Sequence, residues 1–187
     1  FVVKNVVDIA KLYEFVHSGN VKKVTVVGGG FIGVETAENL VEAGYEVSLV
    51  EAMPQILRIF DYDMVQILHK EMMEKGVNLI LNDQVVACEG SNLKLASGKV
   101  VEGDAVVMAI GVRADSKLAK DAGLELNERG AIKVDANYCT SDRNIYAVGD
   151  AIEVYNAITH RPMSLTMAGP AQKQARAAAD HIYGRTV

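Results

Sequence analysis

The segment Gly28-Gly29-Gly30-Phe31-Ile32-Gly33 fits the spacing GxGxxG, and Glu51 stands eighteen residues after its last glycine. Glycine at those three places suits the holding of a pyrophosphate. Gly28 permits a tight turn, Gly30 has no Cβ and lets phosphate oxygens reach the backbone, and Gly33 lets a helix pack close to a sheet. A helix opening at that turn presents free N–H groups and a partial positive charge. A carboxylate at Glu51 is suited to accept hydrogen bonds from the adenosine ribose and to repel a 2′-phosphate, which favours NADH. Arg58, seven residues further on, could answer such a phosphate, so NADPH stays open. The same glycines also describe a strand–helix turn with no ligand, and the surrounding elements decide between the two.

Those elements read as strand, helix, strand. Val24 to Val27 is a β-branched run, Val34, Ala37, Leu40 and Val41 share one helical face, Gly44 ends that helix, and Glu46 to Val50 is a second buried strand. This is the βαβ unit of a parallel sheet. Before it, Ile9, Leu12, Tyr13 and Val16 predict an amphipathic helix over 8–17. After it, Met64, Val65, Leu68 and Met72 predict a helix over 63–75 with Asp61 as its cap, and Val77 to Leu81 a strand. The runs 84–88, 93–95 and 99–101, separated by Gly-containing turns, predict an antiparallel meander. Ala105 to Ile110 returns to a buried strand.

Beyond Gly111 the texture changes, and a module boundary is placed near residues 112–114. A short helix over 115–122, strands at 132–134 and 145–148, an irregular stretch over 155–169 and an Ala-rich helix from Pro170 to Tyr183 are expected. The fold class is thus α/β, a Rossmann-like βαβ parallel sheet with an antiparallel β-meander, followed by a second, smaller region.

Composition narrows the function classes. Nineteen Lys and Arg against 24 Asp and Glu give a net charge of −5, which argues against a nucleic-acid partner. No apolar run approaches the roughly 18 residues of a membrane span, and no secretory signal opens the chain. Cys88 and Cys139 lie 51 positions apart, without the spacing of a zinc site or redox pair, so a reduced, cytoplasmic protein is expected. His17, His69, His160 and His181 form no ligand-spaced pair and read as structural or solvated; no metal site and no catalytic residue are assigned.

Gly28 to Glu35, GGGFIGVE, resembles the second nucleotide fingerprint of the flavin-dependent pyridine nucleotide-disulfide oxidoreductases, in the form found in NADH oxidases, NADH peroxidases and coenzyme A disulfide reductases. Ala109-Ile110-Gly111-Val112-Arg113, then Thr140-Ser141 with Ile145 to Asp150, then Ala168-Gly169-Pro170-Ala171 follow in the family's order. The resemblance implies that residues 1–112 are a linker helix and NAD(P)H-binding domain, and that 113–187 are the C-terminal part of an FAD-binding domain. It implies that Phe31 is an aromatic gate over the flavin, that Glu35, Ile110 and Gly111 lie near the nicotinamide, and that Asp150 after Gly149 meets the FAD ribityl chain. Free N–H groups near Ala171 and Gln172 would face the flavin. NADH would then pass a hydride to the flavin once Phe31 moves.

The departures from the family also matter. Ala114 replaces a common proline, and neither a first GxGxxG for FAD, a redox-active cysteine near the flavin, nor a C-terminal dimerisation domain is present in these residues. The chain is therefore expected to bind NADH without turning over, its partners being dinucleotides and the remaining FAD and C-terminal domains of a parent chain. The alternative is a non-catalytic NAD-binding sensor or docking module, for which the flavin half-site from Thr140 to Ala171 has no use.

Overall fold

The computed structural model describes residues 1–185. They form two compact units, the first Phe1–Gly111 and the second beginning at Val112.

In the first unit, β1 (Lys23–Val27), β2 (Glu46–Val50), β3 (Asn78–Ile80) and β7 (Ala105–Met108) make one parallel sheet in the order β3-β2-β1-β7. Strand β1 is central, and all its residues but Lys23 are buried, which is why its sequence is a continuous β-branched run. Three helices cover this sheet. α1 (Val6–Val16) starts at Asn5, whose side chain accepts the N–H groups of Val7 and Asp8. It buries Leu12 and Val16, while Ile9 and Tyr13 of the predicted stripe stay 49% and 61% exposed. α2 (Phe31–Glu42) turns Gly33, Ala37 and Leu40 inward.

α3 (Tyr62–Glu74) corrects the predicted face. Its buried line is Val65, His69 and Met72, spaced i, i+4, i+7, whereas Met64 is 60% exposed. A polar residue on that line hid it from a search for apolar spacing. Asp61 stands at the N-terminus of α3 but makes no capping hydrogen bond.

The expected meander is present. β4 (Val85–Glu89), β5 (Asn92–Leu95) and β6 (Val100–Val101) pair antiparallel, with a bulge between Val85 and Ala87. Leu93, Leu95 and Val101 pack with Val27, Val50 and Ile80, so the meander roofs one face of the parallel sheet. Strand β7 stops two residues earlier than predicted. Its partner β1 ends at Val27, where the chain turns at Gly28, and Ile110 is left 72% exposed.

The second unit holds α4 (Lys117–Asp121), β8 (Ile132–Lys133), a single 3₁₀ turn (Gly149–Ala151), β9 (Ile152–Asn156), β10 (Arg161–Met163) and α5 (Ala168–Ile182). Its sheet runs β10-β9-β8 over a small core of Ala119, Ile132 and Ile152. The strand expected at 145–148 is not formed. Those residues bond back to Tyr138 and Thr140 within a tight loop, leaving one bridge between Cys139 and Tyr146. The stretch 155–169, expected to be irregular, instead carries most of the β9–β10 hairpin. Its turn is set by Asn156, whose side chain accepts the N–H groups of Ile158 and Thr159.

Candidate functional site

At the C-terminal ends of β1, β2 and β7 the first unit opens into a cleft of about 810 Å³. This is where the strand order reverses, since β1 leads to β2 and β3 on one side and pairs β7 on the other. Gly28 has φ +107°, and a Cβ there would lie 2.4 Å from the Ala109 carbonyl oxygen. The first glycine is thus required by both conformation and space. Gly33 serves close packing: a Cβ on it would meet the Gly28 carbonyl oxygen at 1.9 Å. Gly30 differs from both, because nothing lies within 4 Å of where its Cβ would project. It is the residue that caps α2, with no side-chain cap and no acidic residue in the first turn. The first N–H groups of that helix therefore have no partner within it.

Glu51 is half-buried and doubly engaged. Its Oε2 accepts the Gly29 N–H at 2.6 Å and its Oε1 accepts the Met53 N–H at 2.8 Å. The carboxylate staples the glycine turn to the connection after β2, and each oxygen keeps a lone pair for a further donor. Arg58 lies on that connection, exposed and in no ion pair among the described residues.

Of the residues singled out from sequence, Gly28, Gly30, Glu51, Arg58, Ile110 and Gly111 line this one cleft. Phe31 sits at the first turn of α2, 46% exposed, with its ring edge-on to Phe60 at 6.1 Å. Ile32 and Glu35 do not line the cleft: they face a separate groove of about 590 Å³ beside Leu12 and Tyr13 of α1. The reason is helical spacing, since Ile32, Glu35, Thr36 and Asn39 recur at i, i+3, i+4 and i+7 and so share one side of α2. In the second unit, Gly149 (φ +79°) donates its N–H to the buried Gln174 side chain at 2.7 Å, and a Cβ on it would lie 3.6 Å from that of Ala171. Asp150 beside it is exposed. The expectation of a free N–H at Ala171 is corrected: α5 begins at Ala168, so the Ala171 N–H already bonds the Met167 carbonyl.

Sequence reasoning missed Gly29, Met53 and the far wall of the cleft, which runs from Asp83 to Cys88 at the start of the meander. Asp83 holds that wall by accepting the Ser97 hydroxyl at 2.5 Å and the Ser97 N–H at 3.1 Å. The Ser97 hydroxyl is the leading cause that draws the Asp83 carboxyl below the usual aspartate range. A lowered carboxyl contributes stability that is full above the ordinary value of 3.8 and is lost as pH falls through the lowered one. Ser97→Ala is expected to raise the Asp83 pKa, followed by NMR titration, and to move the acid-unfolding midpoint to higher pH. An unchanged Asp83 titration would refute that account.

Residues 2–175 match the pyridine nucleotide-disulphide oxidoreductase family. Among curated relatives, a coenzyme A disulfide reductase of Staphylococcus aureus is 30% identical over 98% of the chain, and an NADH oxidase of Methanocaldococcus jannaschii is 36% identical over 98%. The chain spans 42% of the length of each. Among solved structures, the reduced CoADR-RHD of Bacillus anthracis superposes with a TM-score of 0.95 at 43% identity, covering the whole chain and 34% of that protein. An engineered water-forming NADPH oxidase bound to NADPH, a variant of the Lactobacillus brevis NADH oxidase, superposes at 0.88 with 26% identity over the whole chain and 42% of its own. Matched from its second residue into α5, with relatives that share its backbone throughout, the chain belongs to the pyridine nucleotide-disulphide oxidoreductase family.

Proposed function

We propose that the chain is the NADH-binding part of an FAD-dependent oxidoreductase, with residues 1–112 as the nucleotide domain and 113–187 as the C-terminal part of the flavin domain. The observation that carries this is the convergence of the Gly28 turn, the uncapped start of α2 and the Glu51 carboxylate on one cleft. NADH supplies a hydride when bound and FAD accepts it, for onward delivery to a disulfide, dioxygen, peroxide or protein acceptor. The chain's residues bind and orient. The first N–H groups of α2 receive the pyrophosphate, Gly30 leaves room for it, and Glu51 takes the adenosine ribose hydroxyls on its remaining lone pairs. Ile110 and Gly111 follow β7, across β1 from the strand that leads to Glu51, and are suited to the nicotinamide. Phe31, exposed at the start of α2, is suited to the gate role, with Glu35 behind it on the same helix. Gly149 and Asp150 are the residues offered to FAD. The setting proposed is the cytoplasm, where thiols such as those of Cys88 and Cys139 stay free.

NADH is the preferred nucleotide in this reading, with NADPH the weaker ligand. The engineered NADPH oxidase carries five substitutions: at a glycine, at an acid eighteen positions later, at the two residues after the acid, and at a proline seven after it that becomes arginine. Those spacings fall here on Gly33, Glu51, Ala52, Met53 and Arg58. This chain thus combines the NADH-favouring acid with an arginine where the engineered protein gained one. Calorimetric titration of the chain with NADH, and with NADPH in parallel, is expected to show tighter NADH binding. Tighter NADPH binding would mean that Arg58 outweighs Glu51, and binding of neither would refute the cleft assignment.

A further inference from the structure

The connection from β2 to α3, residues 51–61, forms the wall of the cleft that carries Met53 and Arg58. It has no regular structure and must be held by particular contacts. Leu57, in the left-handed region at φ +44°, donates its N–H to the Gly29 carbonyl at 2.7 Å. Ile56 is fully buried, and its side chain fills the space beneath Gly29, where a Cβ would meet Ile56 Cγ2 at 2.6 Å. Burying Ile56 also buries its backbone N–H, which needs an acceptor. That acceptor is His69 Nε2, at 3.3 Å. His69 is only 5% exposed on α3.

A backbone N–H can only donate, so Nε2 must be the bare nitrogen and the ring proton must sit on Nδ1. The other contact agrees, because Nδ1 faces the Gln66 Oε1 at 3.3 Å. Burial alone lowers the His69 pKa and keeps the ring neutral, the state this contact requires. Of the charged groups on these two elements, Arg58, Asp61, Asp63, Lys70, Glu71 and Glu74 are exposed and Glu51 is half-buried, and none contributes to that lowering.

We infer that His69 is a positioning residue for the nucleotide cleft: by accepting the Ile56 N–H it holds the β2–α3 connection, and with it the Gly29 turn and the Arg58 wall, in the shape that receives the adenosine end. This rests on the cleft being the NADH site. Protonation of His69 puts a second donor against the Ile56 N–H and breaks the contact. Because the pKa is lowered, the contact is complete above the ordinary value of 6.5 and is lost as pH falls through a value below it.

The test compares the 187-residue chain with His69→Leu, which fills the site but accepts nothing, and His69→Gln, whose Oε1 can stand in for Nε2. His69→Leu is expected to weaken NADH binding about fivefold to tenfold, the loss of one hydrogen bond's worth of ordering, and to speed amide exchange at Ile56 more than tenfold. His69→Gln should restore both and should abolish the loss of NADH affinity expected of the unsubstituted chain on acidification below pH 6.5. If the unsubstituted chain binds no NADH, the nucleotide assignment falls and the inference with it. If it binds and His69→Leu binds equally well, or Gln fails to rescue, the inference alone falls.

Discussion

Gly30→Val is expected to weaken NADH binding by at least about a hundredfold, some 2.7 kcal/mol, while lowering the melting temperature by only a few degrees. The two effects separate because nothing lies within 4 Å of where a Gly30 Cβ would project, so a side chain can start there without a clash. That space is where phosphate oxygens must come to reach the first N–H groups of α2. A small stability cost remains, since valine is a poor cap. Gly28→Ala is the contrasting control. Its methyl would fall 2.4 Å from the Ala109 carbonyl oxygen at φ +107°, so it should cost roughly 3 kcal/mol of stability and lose binding through misfolding of the turn. Calorimetry and thermal unfolding on both variants check this. Full NADH affinity in Gly30→Val would place the pyrophosphate elsewhere.

Removal of the Glu51 carboxylate has the second large effect, and its direction depends on Arg58. Glu51→Ala is expected to raise the NADH dissociation constant tenfold or more, about 1.4 kcal/mol, through lost hydrogen bonds from a charged acceptor. It also removes the charge that repels a 2′-phosphate and leaves the Arg58 guanidinium unopposed at the cleft, so NADPH should become the tighter ligand. The double variant Glu51→Ala, Arg58→Ala should bind both nucleotides weakly and with little preference. Parallel titrations with the two nucleotides decide it, and an unchanged NADH-to-NADPH ratio in Glu51→Ala would remove both residues from the recognition of the ribose.

The first unit was legible because its signals are local and redundant. Strand β1, the glycine turn and α2 each follow from periodicity or from backbone sterics, and the structure displays the steric requirement at Gly28 and at Gly33 while leaving the space at Gly30 open. The lost parts have physical reasons. His69 lies on the buried face of α3, but a polar side chain earns its place there through one backbone N–H that no pattern reveals. Asp83 and Ser97 meet across fourteen residues of meander, a contact that depends on register. In the second unit, strands of two or three residues leave too little alternation to read, and the loop around Cys139 takes up hydrogen bonds that residues 145–148 seemed to offer a sheet. The start of α5 moved to Ala168 because a proline within the first turn does not mark its first residue.

The uncapped start of α2 links occupancy to durability. A helix whose opening donors have neither a side-chain cap nor an acid in the first turn leaves those N–H groups to solvent, and an anion that settles on them adds about 0.3–1 kcal/mol. The segment proposed to receive the nucleotide is therefore expected to fray less, and to outlast a protease longer, when occupied than when empty.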